Sequence, residues 1–489
     1  MKKIVFVLIC SMLGVTFSAC HKKDGVKDEI AHLKRSDWAA DVKTAINDFF
    51  DTYSSTYGAY VVFDFDNTSS IFDVEEQLMV YQLQVMGFAM SPDELKQAVS
   101  AGLDGFYNEL NPWITDIYNS YKYLYDTYGP FNPSGLSAEK QVVVQSDPQW
   151  REFASKMACM YDKVDDCAGS QVAYTWVLCW FTGMTEREVY DIAYSSHKKY
   201  AAVTTSKEII AGPQEIVSSV GAVNYEYTSG VQVTENIKEL WNCLNRNGFD
   251  VWVCSASGVQ QILAAVDAFG LHDFCTGVIG MTMKLDENGK YLPEYDYDGT
   301  GFVSVVNSWK RDNISTMAKT LAEGKVTAID NVLRTKYSGK GPMAGFMDSS
   351  GDFNFCTEYS SLKMVVCFNR ANRKVTDGGG LVAEVAIYER DKLGYDLRKA
   401  NAAGETFYLL QGRDENGMRT FRPSNSTIRY GNAAEQLFAN DDNYAQLEYM
   451  KQTGMSVKDI FDMFALKTAA GPLGFPYGFL DSYSGYHSR

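Results

Sequence analysis

From Thr234 to Phe368, apolar runs of strand length alternate with amphipathic helices, and this alternation restricts the chain to a parallel α/β sheet covered on both faces. Ile237, Leu240, Trp241 and Leu244 lie on one helical face, with Thr234 as N-cap and Gly248 as the stop. Strands are expected over Phe249–Cys254, Val278–Met283, Met343–Met347 and Lys363–Phe368, and helices over Val259–Phe269 and Val326–Leu333. An earlier strand, Tyr60–Phe65, breaks into Asp66-Asn67-Thr68, as a buried parallel strand does where it ends in a functional loop. The expected fold class is α/β, a doubly wound parallel sheet.

Between these regions the chain is rich in aromatics and helical patterns but contains no second clear parallel strand, so it reads as an insertion. The expected division is a leader over 1–19, an anchor and helical lead-in over 20–59, a core over 60–72 and 233–373, a helical insertion over 73–232, and a C-terminal extension over 374–489. Gly378-Gly379-Gly380 reads as a surface turn, and the residues after it, free of repeats, should be ordered and pack on the core.

Acidic residues number 61 against 45 basic ones, a net charge of −16, with no basic block after the leader. That argues against a nucleic-acid partner and favours a small substrate neutralised by a metal. Lys2, Lys3, the apolar run Ile4–Phe17 and Ser18-Ala19-Cys20 have the layout of a cleaved export signal. The layout resembles a bacterial lipoprotein signal, in which Cys20 would become the lipidated first residue, although Phe17 stands where Leu is usual. Cleavage near Ala19 as an ordinary signal peptide is the alternative. No later segment reaches about 18 uninterrupted apolar residues, so a lipid anchor would be the one membrane element. His21 after Cys20 favours the outer membrane. Eight of the ten cysteines follow Cys20; Cys159 and Cys167 are the best candidate disulfide pair, whereas Cys254 and Cys367 read as small core residues.

Four segments carry chemistry. Asp64 and Asp66 are two carboxylates at one strand end, one able to attack phosphorus and one to give and take a proton; a solvated turn is the bland reading. Ser255 follows the run Val251–Cys254 and precedes a helix, where a hydroxyl and free N–H groups favour an anion, though serine is also a common N-cap. Lys325 opens a helix before the next strand and could neutralise a phosphoryl group; Lys310 is its rival, and a solvated surface lysine is the alternative. Asp348 and Asp352, directly after another strand, offer hard oxygens that suit Mg²⁺.

In this order the four segments resemble the motifs of the haloacid-dehalogenase-like phosphatase superfamily, in its phosphoserine-phosphatase-like branch, where a cap domain enters after the first motif. Met347 replaces the usual Gly before the fourth-motif aspartate. A closer likeness is to bacterial phosphorylcholine phosphatases, carried by Phe63-Asp64-x-Asp66-Asn67-Thr68, by Phe72-Asp73-x-Glu75-Glu76, and by Trp176-Val177 followed by Phe181-Thr182-Gly183-Met184-Thr185 and Arg187-Glu188. The resemblance implies that the inserted 73–232 is a helical cap and that Asp64 forms an aspartyl-phosphate. It implies that Asp66 is the proton shuttle and that Asp64, the Asp66 carbonyl and Asp348 hold Mg²⁺. Asp352 would hold a coordinated water or orient the lysine, and Thr68, Ser255 and Lys325 would bind phosphoryl oxygens. For a quaternary-ammonium leaving group, Asp73 is the candidate acidic contact and Tyr174, Trp176 and Trp180 the candidate aromatics. Asp73 is equally a helix cap, and Trp176 with Trp180 at i, i+4 is equally core packing.

The five histidines lie outside these segments, and no serine-hydrolase elbow, metalloprotease helix or Gly-rich phosphate loop is present. Two readings remain. One is an Mg²⁺-dependent phosphomonoesterase acting on phosphorylcholine, phosphoethanolamine or a sugar phosphate. The other is a non-catalytic surface lipoprotein that binds choline-like or phosphorylated ligands for uptake.

Overall fold

A computed structural model describes residues 29–435, apart from 296–299, 306–311, 315–318, 372–377 and 418, together with residues 452–460. The expected leader, Cys20 as the expected lipidation site, the rival Lys310 and much of the C-terminal extension lie outside the described residues. Among the described residues no helix is long and apolar enough to cross a membrane.

Helix α1 (Ala40–Tyr53) leads into strand β1 (Tyr60–Phe63). The chain then builds α2 (Val74–Val85), α3 (Pro92–Ser100), α4 (Tyr107–Tyr128), α5 (Ala138–Ser146), α6 (Pro148–Ala168), α7 (Ser170–Leu178) and α8 (Glu186–Ala202), closed by a hairpin of β2 (Ser206–Ala211) and β3 (Asn224–Ser229). It returns through α9 (Glu235–Arg246), β4 (Asp250–Gly258), α10 (Val259–Ala268) and β5 (Gly277–Met281). A second hairpin, β6 (Met283–Leu285) and β7 (Tyr291–Tyr295), precedes β8 (Thr300–Ser304) and β9 (Asp312–Ile314). Next come α11 (Glu323–Ile329), β10 (Ala344–Met347), α12 (Ser350–Thr357) and β11 (Met364–Phe368). After β11 the chain forms α13 (Gly378–Tyr388), α14 (Leu397–Ala402), β12 (Phe407–Gln411), β13 (Arg413–Asp414) and β14 (Thr420–Phe421).

The main sheet runs β12-β11-β10-β1-β4-β5-β8-β9, with β12 to β5 parallel and β8 and β9 antiparallel at the far edge. Strand β1 is buried on both faces because its side chains alternate between two cores. Val61 and Phe63 join α1, α9 and α10 on one face, and Tyr60 and Val62 join α11, α12 and α13 on the other. Phe63 stacks on Phe346 of β10 with ring centroids 3.8 Å apart, which fastens the two strands whose ends carry the acidic residues. From β1 the chain winds to β4 and β5 on one side and to β10, β11 and β12 on the other. That reversal opens a crevice at the C-terminal strand ends.

Four expectations need correction. The insertion is not wholly helical: β2 and β3 form an antiparallel pair within it, Ser206 opposite Ser229 through Ala211 opposite Asn224. The sheet does not end at Phe368, since β12 pairs parallel with β11. Gly378-Gly379-Gly380 is the first turn of α13 and not a surface turn. The apolar run behind it, Leu381–Tyr388, buries against Tyr408 and Leu410, and Cys367 Sγ of β11 donates to Gly379 O. Finally, Cys159 and Cys167 are both free. They lie on the single helix α6, where eight residues of rise separate their Cα atoms by about 12 Å, beyond disulfide reach.

Candidate active site

The residues singled out in the four segments converge at the C-terminal edge of the sheet, each at or just after a strand end or on the helix beside one, except that Ser255, expected before a helix start, lies within β4, which runs on to Gly258. Asp64 and Asp66 follow β1, Ser255 lies near the end of β4, Lys325 is on α11, and Asp348 and Asp352 follow β10. Lys325 Nζ donates to Asp64 Oδ1 and to Asp352 Oδ1, each at 2.6 Å, and is 1% exposed. Burial alone would lower the lysine pKa, but the charges of Asp352 and Asp64 outweigh it and raise it, so this is a fixed ammonium. Asp64 is pushed upward by burial against the charge of Lys325.

Asp64, Asp348 and Asp352 form a buried group whose carboxylate oxygens lie within 4.8 Å of one another, so they could hold a metal ion. Three hard anionic oxygens fit a small divalent cation of the Mg²⁺ class. Asp348 is prearranged: Thr68 Oγ1 donates to its Oδ1 at 3.0 Å and Arg370 Nη1 to its Oδ2 at 2.9 Å. Thr68, expected to bind a phosphoryl oxygen, thus has its hydroxyl taken up by Asp348. The Asp66 carboxylate is not in the acidic group but lines the same cavity, accepting from Val74 N at 2.7 Å and Ser257 Oγ at 2.8 Å. Burial, then the negative charges of Asp73 and Asp64, push its pKa well above the carboxylate range, which favours a protonated acid.

These groups line a cavity of about 110 Å³ that also includes Ser255 and Tyr174. Asn67, Asp73 and Arg370 are shared with an adjoining chamber of about 590 Å³. Asp73 does cap α2, accepting from Glu75 N at 2.8 Å and Glu76 N at 3.0 Å, and it borders both spaces. The chamber is lined by Glu75, Glu76, Asp162 and Glu226, by the tyrosines 161, 225, 227 and 430, and by Lys207, Arg370 and Arg429.

Trp176 has no place in either space. It is 1% exposed, donates from Nε1 to Val99 O at 2.9 Å and meets Trp180 edge-on, so both tryptophans are core. Trp176→Phe should therefore lower stability by about 1–3 kcal/mol in urea unfolding while leaving KM for any substrate within about twofold. A tenfold rise in KM would restore a substrate role. Sequence reasoning missed Arg370, Ser257, Tyr161, Tyr225 and Tyr227 as wall residues. A signal existed for the last two: Tyr225 and Tyr227 alternate with Glu226 and Thr228, the period of a strand with one aromatic face.

No family model matches the chain, and no curated protein matches it. Among solved structures, a conserved functionally unknown protein from Anaerococcus prevotii DSM 20548 superposes with a TM-score of 0.61 at 25% identity, covering 81% of this chain and 98% of that one. The two share this α/β architecture. A phosphoserine phosphohydrolase-like protein from Francisella tularensis subsp. tularensis SCHU S4 aligns at 13% identity over 63% of this chain and 87% of that one, but with a TM-score of 0.23, too low to carry an argument.

Proposed function

We propose that the chain is an Mg²⁺-dependent phosphomonoesterase working through an aspartyl-phosphate on Asp64. The observation that carries this reading is the convergence, at one crevice, of a lysine-held carboxylate, a three-carboxylate group and the Asp66 carboxyl held between Val74 N and Ser257 Oγ.

Lys325 fixes Asp64 through Oδ1, which leaves Oδ2 to attack phosphorus as the ester P–O bond breaks. Asp66 gives its proton to the departing alkoxide. It then takes one from the water that attacks phosphorus, breaking the bond to Asp64 and releasing phosphate. Ser255 and Lys325 border the space where the phosphoryl oxygens would lie. Asp64, Asp348 and Asp352 would hold Mg²⁺, which when bound neutralises the crowded carboxylates and the approaching phosphoryl charge. A non-catalytic binder would have no use for a second aspartate, Asp66, in the same cavity as Asp64 but outside the three-carboxylate group.

For the alcohol, the chamber supports a small cationic group, with phosphorylcholine or phosphoethanolamine as the leading esters. Its wall combines buried carboxylates with tyrosine faces, the pairing that receives an ammonium, each aromatic contact contributing about 0.5–2 kcal/mol. The aromatic role expected of Trp176 passes in this reading to Tyr161, Tyr174 and Tyr225. Glu76 makes the preference pH-dependent. Burial, then the charge of Asp73, push its carboxyl up to about 7, against the hydrogen bond that Tyr225 OH donates at 3.0 Å. Glu76 gains its charge as pH rises through about 7, so the kcat/KM ratio for a quaternary-ammonium ester over a neutral alkyl ester should rise there, and Glu76→Gln should flatten it. A pH-independent ratio in the wild type contradicts this assignment.

The broader test is hydrolysis of a phosphomonoester panel by the purified protein with Mg²⁺ and with chelator. Chelator-sensitive release of phosphate is expected. Inactivity across the panel, with ligand binding retained, would favour the uptake lipoprotein.

A further inference from the structure

The loop that carries the proposed acid is held in an unfavourable shape by a residue far away in the chain. Asn67, next to Asp66, has a φ of 60°, and Phe72, at the far end of the same loop, a φ of 70°. Both are left-handed; asparagine adopts that region readily, whereas for phenylalanine it is costly and persists only where surroundings enforce it. Ser70 ties the two, donating to Phe72 O at 2.6 Å and accepting from Asn67 N at 3.3 Å. Ile71 pairs with Gln232 in both directions and Thr68 Oγ1 donates to Asp348, and at Asn67 itself the contact from outside the loop is Arg413 on β13. Its Nη1 donates to Asn67 O at 2.6 Å and its Nη2 points to Asn67 Oδ1 at 3.4 Å. Glu415 Oε1 accepts from Arg413 Nε at 3.0 Å and from Nη2 at 2.7 Å, so the guanidinium is locked in place, 2% exposed.

The same hairpin reaches the insertion. Arg419 Nη2 donates to Val203 O, and Tyr430 OH to Thr205 O, both at 3.2 Å, on the segment between α8 and β2. Arg413, Arg419 and Tyr430 thus join the loop after β1 to the segment after α8, and Glu415, Arg429 and Tyr430 stand on the chamber wall.

We propose that Arg413 is a positioning residue: through Asn67 it sets the direction of the Asp66 carboxyl, making the C-terminal hairpin a clasp on the active-site loop. The two hydrogen bonds that aim Asp66 come from Val74, beyond the loop, and from Ser257 on β4. The first closes over residues 67–72 and depends on where they run, whereas the second is fixed by β4. Release of Asn67 lets the loop relax toward right-handed geometry and moves the acid, while Asp64, held by Lys325, stays.

This rests on the phosphatase reading, and the test separates the two. Full-length wild type, Arg413→Gln and Arg413→Lys are compared on an alkyl phosphate, whose alkoxide must be protonated to leave, and on dinitrophenyl phosphate, whose phenoxide leaves without a proton. For Arg413→Gln, kcat/KM should fall about 100-fold on the alkyl ester and no more than about threefold on the activated one, with Arg413→Lys intermediate. Equal losses on both esters would mark a general folding role and overturn the proposal, as would no loss on either. Hydrogen exchange supplies a readout independent of turnover: amides of residues 64–73 should exchange at least about tenfold faster in Arg413→Gln, with α10 unchanged. If wild type hydrolyses neither ester, the phosphatase reading fails, and unchanged loop exchange would then overturn the clasp as well.

Discussion

Asp64→Asn should abolish phosphomonoester hydrolysis, with kcat reduced by at least about 10⁴-fold, while the protein remains folded. The substitution keeps the side-chain volume at a position 6% exposed and removes the nucleophilic oxygen together with one charge of the metal-holding group. Stability should change little. Asp64 shares its lysine with Asp352, and burial works against its charged form, so losing the charge relieves as much as it removes. The check pairs steady-state phosphate release with urea unfolding. Retention of more than about one hundredth of the wild-type rate would mean that another group attacks phosphorus.

Lys325→Met should be the most destabilising single change in the site, by about 3–5 kcal/mol near neutral pH. Methionine fills similar space, so a cavity is not the cause. The cause is two carboxylates, Asp64 and Asp352, left facing each other without a cation, where Asp352 is already pushed well above the carboxylate range by burial and by the charge of Asp64. Linkage gives the sign. Both carboxyls have raised folded-state pKa values, so protonation removes the repulsion, and the deficit should be largest at neutral pH and shrink in mild acid. A deficit that does not shrink on acidification would point to packing instead. Activity should fall by about 10²–10³-fold, because the phosphoryl group loses its fixed positive neighbour.

The acidic half of the site is legible in the sequence because its information is local. Asp64, Ser255 and Asp348 each follow an apolar run, and parallel strands bring such ends to one edge. The periodicity of Tyr60–Phe63 likewise assigns its side chains to two cores. The features that escaped depend on distant partners. Arg413 lies 346 residues from Asn67, and nothing beside it marks it as a partner of the loop after β1. Trp176 and Trp180 carry the spacing of core packing and of a ligand box alike, and only their neighbours decide. The glycine run at 378 becomes helical, against its own propensity, because the apolar residues Leu381–Tyr388 behind it are buried.

The central claim, that Asp64 forms a covalent phosphoryl intermediate, is tested most directly by trapping. The protein is mixed with Mg²⁺ and an alkyl phosphate, quenched in acid and reduced with borohydride, which converts an aspartyl-phosphate to homoserine. Mass spectrometry of the peptide spanning Tyr60–Ile71 should then place homoserine at position 64 in a substrate-dependent manner. Homoserine at Asp66 or Asp348, or phosphate release with no modified aspartate, would contradict it.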